Sequence, residues 1–182
     1  SEVGHTDEAK KEIKTIFEGK CPFETPKPTR LLKRIIDIAT EEDSIILDCF
    51  AGSGTTGHAV LMENQQKPES QRKFIMIDIM DYAETVAAER IRRAISGYPF
   101  KGKKEEEIYS KKLTAKNILK AEEILKEAEA VSIEKANEYA KISKPKIADN
   151  CLKVIGTKMY DDKMEGLGGA FDYYELGAPL FN

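Results

Sequence analysis

The sequence contains no tryptophan, only two histidines and three cysteines in 182 residues. It also lacks any apolar run long enough to cross a bilayer. Cys21, Cys49 and Cys151 are odd in number, far apart and without metal-ligand spacing. That pattern argues against a disulfide framework or a zinc site and for reduced thiols in a cytosolic compartment. His5 and His58 have no ligand-spaced partner and read as surface or packing residues rather than catalysts. An excess of positive charge is missing as well: 29 Lys and Arg stand against 32 Asp and Glu, for a net charge of −3. Composition therefore does not advertise a nucleic-acid surface, although basic residues can gather on one face. With no leader pattern in the opening residues, a cytoplasmic setting without a membrane is expected.

What is present is a 34% charged, 41% hydrophobic chain of single-domain length, and one glycine-rich stretch stands out. Ile45-Ile46-Leu47 reads as a strand, Asp48-Cys49-Phe50-Ala51-Gly52-Ser53-Gly54-Thr55-Thr56-Gly57 as a tight turn, and the residues after it as a helix. A strand, a glycine turn and a helix N-terminus together build a cofactor pocket. Gly52 to Gly57 satisfies G-x-G-x-x-G, and Asp78 lies about 20 residues further on, where a dinucleotide fingerprint wants an acid. A nicotinamide-dependent oxidoreductase is thus one reading. Against it, Asp48 would set a carboxylate beside the pyrophosphate, and like charges repel. A cationic ligand without phosphate suits the site better, and S-adenosylmethionine carries an ammonium and a sulfonium. No Lys follows the glycines, so a P-loop does not fit.

Along the chain, Thr6 is a candidate N-cap for a short helix with Ile13, Ile16 and Phe17 on one face. Pro22, Pro26 and Pro28 interrupt regular structure, and Thr29 is then positioned to cap a helix carrying Leu31, Leu32, Ile35, Ile36 and Ile38. A helix is expected from about Thr55 to Glu63. Phe74-Ile75-Met76-Ile77-Asp78 reads as a second buried strand, followed by a helix with Ala83, Val86, Ala87, Ile91, Ala94 and Ile95 inward. Strand, helix, strand and helix predict a parallel sheet with right-handed crossovers. From Lys101 to Lys146 there are 12 Lys, 9 Glu and no Asp, with apolar residues spaced for one or two long helices and Ser132 as a restarting N-cap. Cys151 to Ile155 and Phe171 to Leu176 read as strands; in the second, Tyr173 and Tyr174 should divide between core and solvent. The expected division is 1–100 for cofactor binding, 101–148 for a charged helical insertion and 149–182 for a C-terminal β segment. The chain begins Ser1-Glu2 and stops at Leu180-Phe181-Asn182, and both ends read as cut.

Thr25-Pro26-Lys27-Pro28-Thr29, a helix, a strand and then Asp48-Cys49-Phe50-Ala51-Gly52-Ser53-Gly54-Thr55 resemble motifs X and I of amino-group-specific DNA methyltransferases. The resemblance continues through Arg72 to Asp78 and through Ala88-Glu89-Arg90-Ile91. It includes Gly168-Gly169-Ala170-Phe171-Asp172-Tyr173-Tyr174-Glu175-Leu176-Gly177, which looks like the tail of modification subunits of type III restriction systems. It implies an α/β fold with part of a Rossmann-like parallel sheet and S-adenosyl-L-methionine as cofactor. Lys27, Pro28 and Thr29 would lie at the methionine end of the cofactor. Asp48 would neutralise its ammonium, and Asp78 would accept both ribose hydroxyls. Phe50 is an apolar wall in this reading and a core aromatic in the plain one. Ala51, Gly52, Ser53, Gly54, Thr55 and Thr56 would supply close backbone approach and polar edges.

The family's catalytic tetrapeptide, Asp/Asn/Ser-Pro-Pro-aromatic, occurs nowhere in this sequence. The resemblance then implies the C-terminal part of an enzyme that methylates the exocyclic amine of adenine in double-stranded DNA, with cytosine amino methylation using the same motifs. This part alone is expected to be inactive. A homodimer and a restriction subunit are the implied partners. The competing reading is a non-enzymatic module in which the 101–146 helices and the terminal strands mediate dimerisation or docking of a restriction subunit.

Overall fold

The structure, a computed structural model, describes residues 5–114 and 116–177. The extreme ends that read as cut lie outside these residues. The chain divides into two compact units, Ser1–Phe100 with Lys163–Asn182, and Lys101–Asp162.

In the first unit the elements are α1 (Thr6–Ile16), α2 (Thr29–Ala39), β1 (Ile45–Asp48), α3 (Thr55–Gln66), β2 (Lys73–Met76) and α4 (Glu89–Ser96). A π-helical turn, Ala83–Ala88, leads into α4. β1 and β2 pair in parallel from Ile45 opposite Lys73 to Asp48 opposite Met76, with α3 as the crossover. This is the expected strand-helix-strand-helix order in a mixed α/β unit; two paired strands fall short of a full Rossmann-like layer. Side-chain alternation sends Ile46 and Phe74 to one side of the sheet, where they pack with Leu32 and Ile36 of α2 and Ala59 and Val60 of α3. Ile45, Leu47 and Ile75 point the other way and stay exposed. A further core joins Ile13, Ile16 and Phe17 to Val86 and Tyr98.

Two caps differ from expectation. His5 occupies the N-cap of α1 and Pro28 that of α2, and neither helix has a side-chain cap. Thr29 is instead the first helical residue, with its hydroxyl drawn to Glu12. The terminal strand is also corrected. Residues 165–177 are irregular. At 167 and 168 the backbone closes on the end of α4, where the Leu167 amide donates to Ala94 O (2.8 Å) and the Gly168 amide to Ile95 O (3.2 Å). Leu167 and Phe171 then pack on Leu61, Ile91 and Ala94, and Tyr173 and Tyr174 are both exposed.

The second unit is mainly β where one or two long helices were expected. β3 (Tyr98–Lys112) runs into it and lies beside β6 (Cys151–Met164); β4 (Lys141–Ile142) and β5 (Lys146–Ala148) pair antiparallel with β6. Asp149 and Asn150, both at positive φ (52° and 56°), make the two-residue turn between β5 and β6. One helix, α5 (Ala121–Glu134), follows a short 3-10 turn at Ile118–Lys120. Ser132 does not restart a helix; it lies inside α5, and its hydroxyl donates to Ala128 O at 2.7 Å. Glu106 and Glu107 of the charged stretch pair across strands, with Lys158 and Lys153 of β6, each at 3.1 Å. Tertiary pairing overrides the local pattern here. Ile124 and Ala128 of α5 close the core against Leu152 and Val154 of β6.

Candidate cofactor-binding site

The turn at residues 48–57 begins where β1 ends, and the main chain knots it to the second strand. The Ile77 amide donates to Asp48 O (2.8 Å), the Ala51 amide to Ile77 O (3.0 Å) and the Gly54 amide to Ala51 O (2.8 Å). Gly52 and Gly54 lie at φ +54° and +74°, in the left-handed region that favours glycine. A Cβ on Gly54 would also stand 2.8 Å from the carbonyl oxygen of Ala87. That glycine therefore serves the close seating of the turn on the π-helical turn. The helix α3 starts at Thr55, so its N-terminal dipole faces the turn.

Two carboxylates hold this geometry, Asp48 at the end of β1 and Asp78 two residues beyond β2. Asp48 accepts from the Phe50 amide (3.0 Å) and from the Thr56 hydroxyl (2.5 Å). Asp78 accepts from the Gly52 amide (2.8 Å) and the Met80 amide (3.1 Å), so it braces the turn from the neighbouring strand. Both are half-buried. A carboxylate offers about four acceptor positions, so each retains capacity for a ligand. Phe50 is 89% exposed, which removes the core reading of its ring.

Residues 27–29 come to the same place from far along the chain. The Thr55 hydroxyl donates to Lys27 O at 3.3 Å, Pro28 and Thr29 are buried, and Lys27 is exposed. The hydroxyls of Thr29, Ser53 and Thr55 are turned inward, so what the turn offers outward is mainly its backbone. They meet Arg90, a side chain 1% exposed. Its Nε donates to His58 Nδ1 (3.2 Å). Nη1 donates to Ser53 Oγ (3.3 Å) and Thr55 Oγ1 (2.9 Å). Nη2 donates to Glu12 Oε1 (3.0 Å) and Thr29 Oγ1 (2.9 Å). Burial, and then the charge of Arg90, push His58 down to about 3, so its imidazole is neutral and its approach to Glu12 at 3.6 Å is no ion pair.

Arg90 lies in the matched string Ala88 to Ile91 but had no role assigned there, and Glu12 lies outside every motif. Arg90 did leave a signal: it falls on the inward stripe of Val86, Ala87, Ile91 and Ala94, where a cation must find partners. His58 fits the packing role expected of it. Among the described residues no cluster of His, Cys, Asp and Glu is arranged to hold a metal, and no helix is long and apolar enough to cross a membrane.

Comparison with known proteins agrees with the motifs. Residues 2–89 match the DNA methylase family. Over 77 residues the chain is 51% identical to the type III restriction-modification enzyme StyLTI Mod subunit of Salmonella typhimurium, covering 42% of this chain and 12% of that protein. It is 45% identical over 71 residues to the probable type III restriction-modification enzyme HindVI Mod subunit of Haemophilus influenzae, covering 39% and 9%. It is 40% identical over 72 residues to the type II methyltransferase M.KpnI of Klebsiella pneumoniae, covering 40% and 17%. The matched stretch is thus less than a fifth of the length of each of these relatives. The nicotinamide reading is left with the glycine spacing and the position of Asp78 as its support. Residues 2–89 are thus similar to the DNA methylases, and part of the chain is similar to modification subunits of type III restriction systems.

Proposed function

We propose that the first unit is the S-adenosylmethionine-binding part of a DNA amino-methyltransferase, and that the intact protein methylates the exocyclic amine of adenine in double-stranded DNA. The observation that carries this reading is the convergence of Asp48 and Asp78 on one glycine turn within a segment that matches the DNA methylases. The donor set suits the group: two half-buried carboxylates, an exposed aromatic ring and open backbone would repel a pyrophosphate and welcome a cationic, hydroxyl-bearing ligand. When bound, the cofactor supplies an electrophilic methyl group on its sulfonium.

The chain's own residues bind and orient. Asp78 accepts the ribose hydroxyls, and Asp48 neutralises the ammonium directly or through water. Phe50 covers the site with an apolar wall. Lys27, with Pro28 and Thr29 at the start of α2, holds the carboxylate by charge and helix dipole. The backbone of Ala51, Gly52, Ser53, Gly54, Thr55 and Thr56 lets the ligand approach. Extruding the base and holding its amine in line with the methyl group need the Pro-Pro motif, which this sequence lacks. On this reading the chain alone binds the methyl donor and methylates nothing. The likeness to the Mod subunits extends the proposal to a restriction subunit and a second copy as partners, in the cytoplasm.

Calorimetric titration of the chain with S-adenosylmethionine tests this. Saturable binding, weakened at least tenfold in Asp78→Ala, is expected; no saturable binding, or equal binding by the variant, refutes it. A second reading, docking by the unit at 101–162, is favoured by the exposure of Ile118, Leu119, Leu125 and Ile133 on and beside α5. Light scattering of a variant with charged residues at Ile118 and Leu125 separates the two, because cofactor binding would be untouched.

A further inference from the structure

The hub at Arg90 lies beneath the turn and reaches both of the segments, 27–29 and 52–56, that the site brings together from distant parts of the chain. A guanidinium has five N–H donors in a planar fork. All five are used here, on His58, Ser53, Thr55, Glu12 and Thr29, which come from α3, the glycine turn, α1 and the start of α2. Glu12 supplies the balancing charge, and it also receives the Thr29 hydroxyl and the Thr29 amide (3.3 Å), so the first residue of α2 is gripped from two sides. His58 accepts through Nδ1, which places its own proton on Nε2.

Such an arrangement exceeds what the fold requires. The second buried arginine, Arg72, ties the end of α2 to a loop through Thr40 and Ser70 and touches no part of the turn. Arg90 by contrast spans the two segments, 27–29 and 52–56, that must face one ligand together. We infer that Arg90 is a positioning residue, which fixes the spacing between the Lys27-Pro28-Thr29 segment and the glycine turn through Thr29, Ser53 and Thr55. This rests on the cofactor reading above. Lys at this position fails, because three donors on one nitrogen cannot serve five acceptors spread around a plane.

The experiment compares the 182-residue chain with Arg90→Met, Arg90→Lys and a control, Ile16→Ala, which opens a cavity at a buried side chain of α1 outside the hub. Each is titrated with S-adenosylmethionine at a temperature where it is folded. Hydrogen exchange of the ligand-free proteins is followed at residues 27–29 and 52–56. Both Arg90 variants should bind at least tenfold more weakly, and the control within about twofold of the parent. Exchange should rise in both segments together for the Arg90 variants and in neither for the control. Equal affinity across all four proteins, or exchange changes confined to α4, would overturn the inference. If the parent itself binds no S-adenosylmethionine, the cofactor reading falls and the exchange pattern alone decides whether Arg90 joins the two segments.

Discussion

The two units handle charge in opposite ways. In the first, arginines, hydroxyls and an imidazole are taken inside: Thr29, Ser53, Thr55, Thr56, His58, Glu63, Ser70, Arg72 and Arg90 are all buried. In the second, every buried side chain among the described residues is apolar, and Lys and Glu pair on the outside. Exposed pairs of that kind contribute little and tolerate many arrangements. A buried, fully bonded network is costly to break and has one good geometry. The contrast indicates where the molecule is held most firmly: around the glycine turn and Arg90 in the first unit, and less so in the second.

Arg90→Met should break this contrast most. It strips the buried partners of their donor and leaves the Glu12 charge unpaired, so the first unit should lose about 4 kcal/mol in urea unfolding. Exchange-detected unfolding should show the second unit unaffected. Ile124→Ala is the counterpart. It removes core volume 3% exposed to solvent, and should lower the second unit alone by about 3 kcal/mol.

Glycine substitutions sharpen the comparison at a smaller scale. Gly54→Ala meets both a positive φ and the backbone of Ala87, which cannot swing away, and should cost about 2 kcal/mol. Gly102→Ala meets the outer end of the Tyr160 ring, which is nearly half exposed and can rotate outward. The unfolding midpoint should move by much less for Gly102→Ala than for Gly54→Ala.

The pH dependence should separate the units by window. His58 titrates at about 3 folded against 6.5 when free, so the unfolded chain takes up its proton first. The first unit's contribution from this group is complete above pH 6.5 and is lost as pH falls from 6.5 towards 3. Glu106 is held down to about 2 by the Tyr139 hydroxyl, Lys104 and Lys158, against 4.5 when free. Its contribution to the second unit is complete above 4.5 and disappears between 4.5 and 2. Exchange at pH 5.5 should therefore show the first unit weakened and the second unchanged; equal weakening would contradict the assignment. Smallest of all, Glu107→Gln, which removes an exposed partner of Lys153, should leave the midpoint of either unit unmoved within error.

The glycine-turn half of the candidate site was legible because its signals are local. A glycine turn after an apolar run, an acid at the end of each strand and Lys-Pro before a helix can all be read from neighbours in sequence. The half beneath it was not, since Glu12, Thr29, Ser53, His58 and Arg90 meet over separations of up to 78 residues and share no motif. In the second unit the failure was one of period. Lys and Glu satisfy each other equally well along a helix or across strands, and the long-range pairing of β3 with β6 decided between them. The tail at residues 165–177 misled for a third reason. Its aromatics look like a strand, but the chain turns onto the end of α4 at Leu167 and Gly168, and Phe171 packs on Leu61, Ile91 and Ala94.

The bare side of the β1–β2 sheet has a consequence for handling the protein. Ile45, Leu47 and Ile75, with Phe50 and Ile79 beyond the strand ends, present apolar surface to water, while a net charge of −3 supplies little mutual repulsion. Attraction between such surfaces strengthens on warming from the cold. Solutions of this chain should therefore stay clear when chilled and dilute, and turn cloudy when concentrated at room temperature, well below the point at which either unit melts.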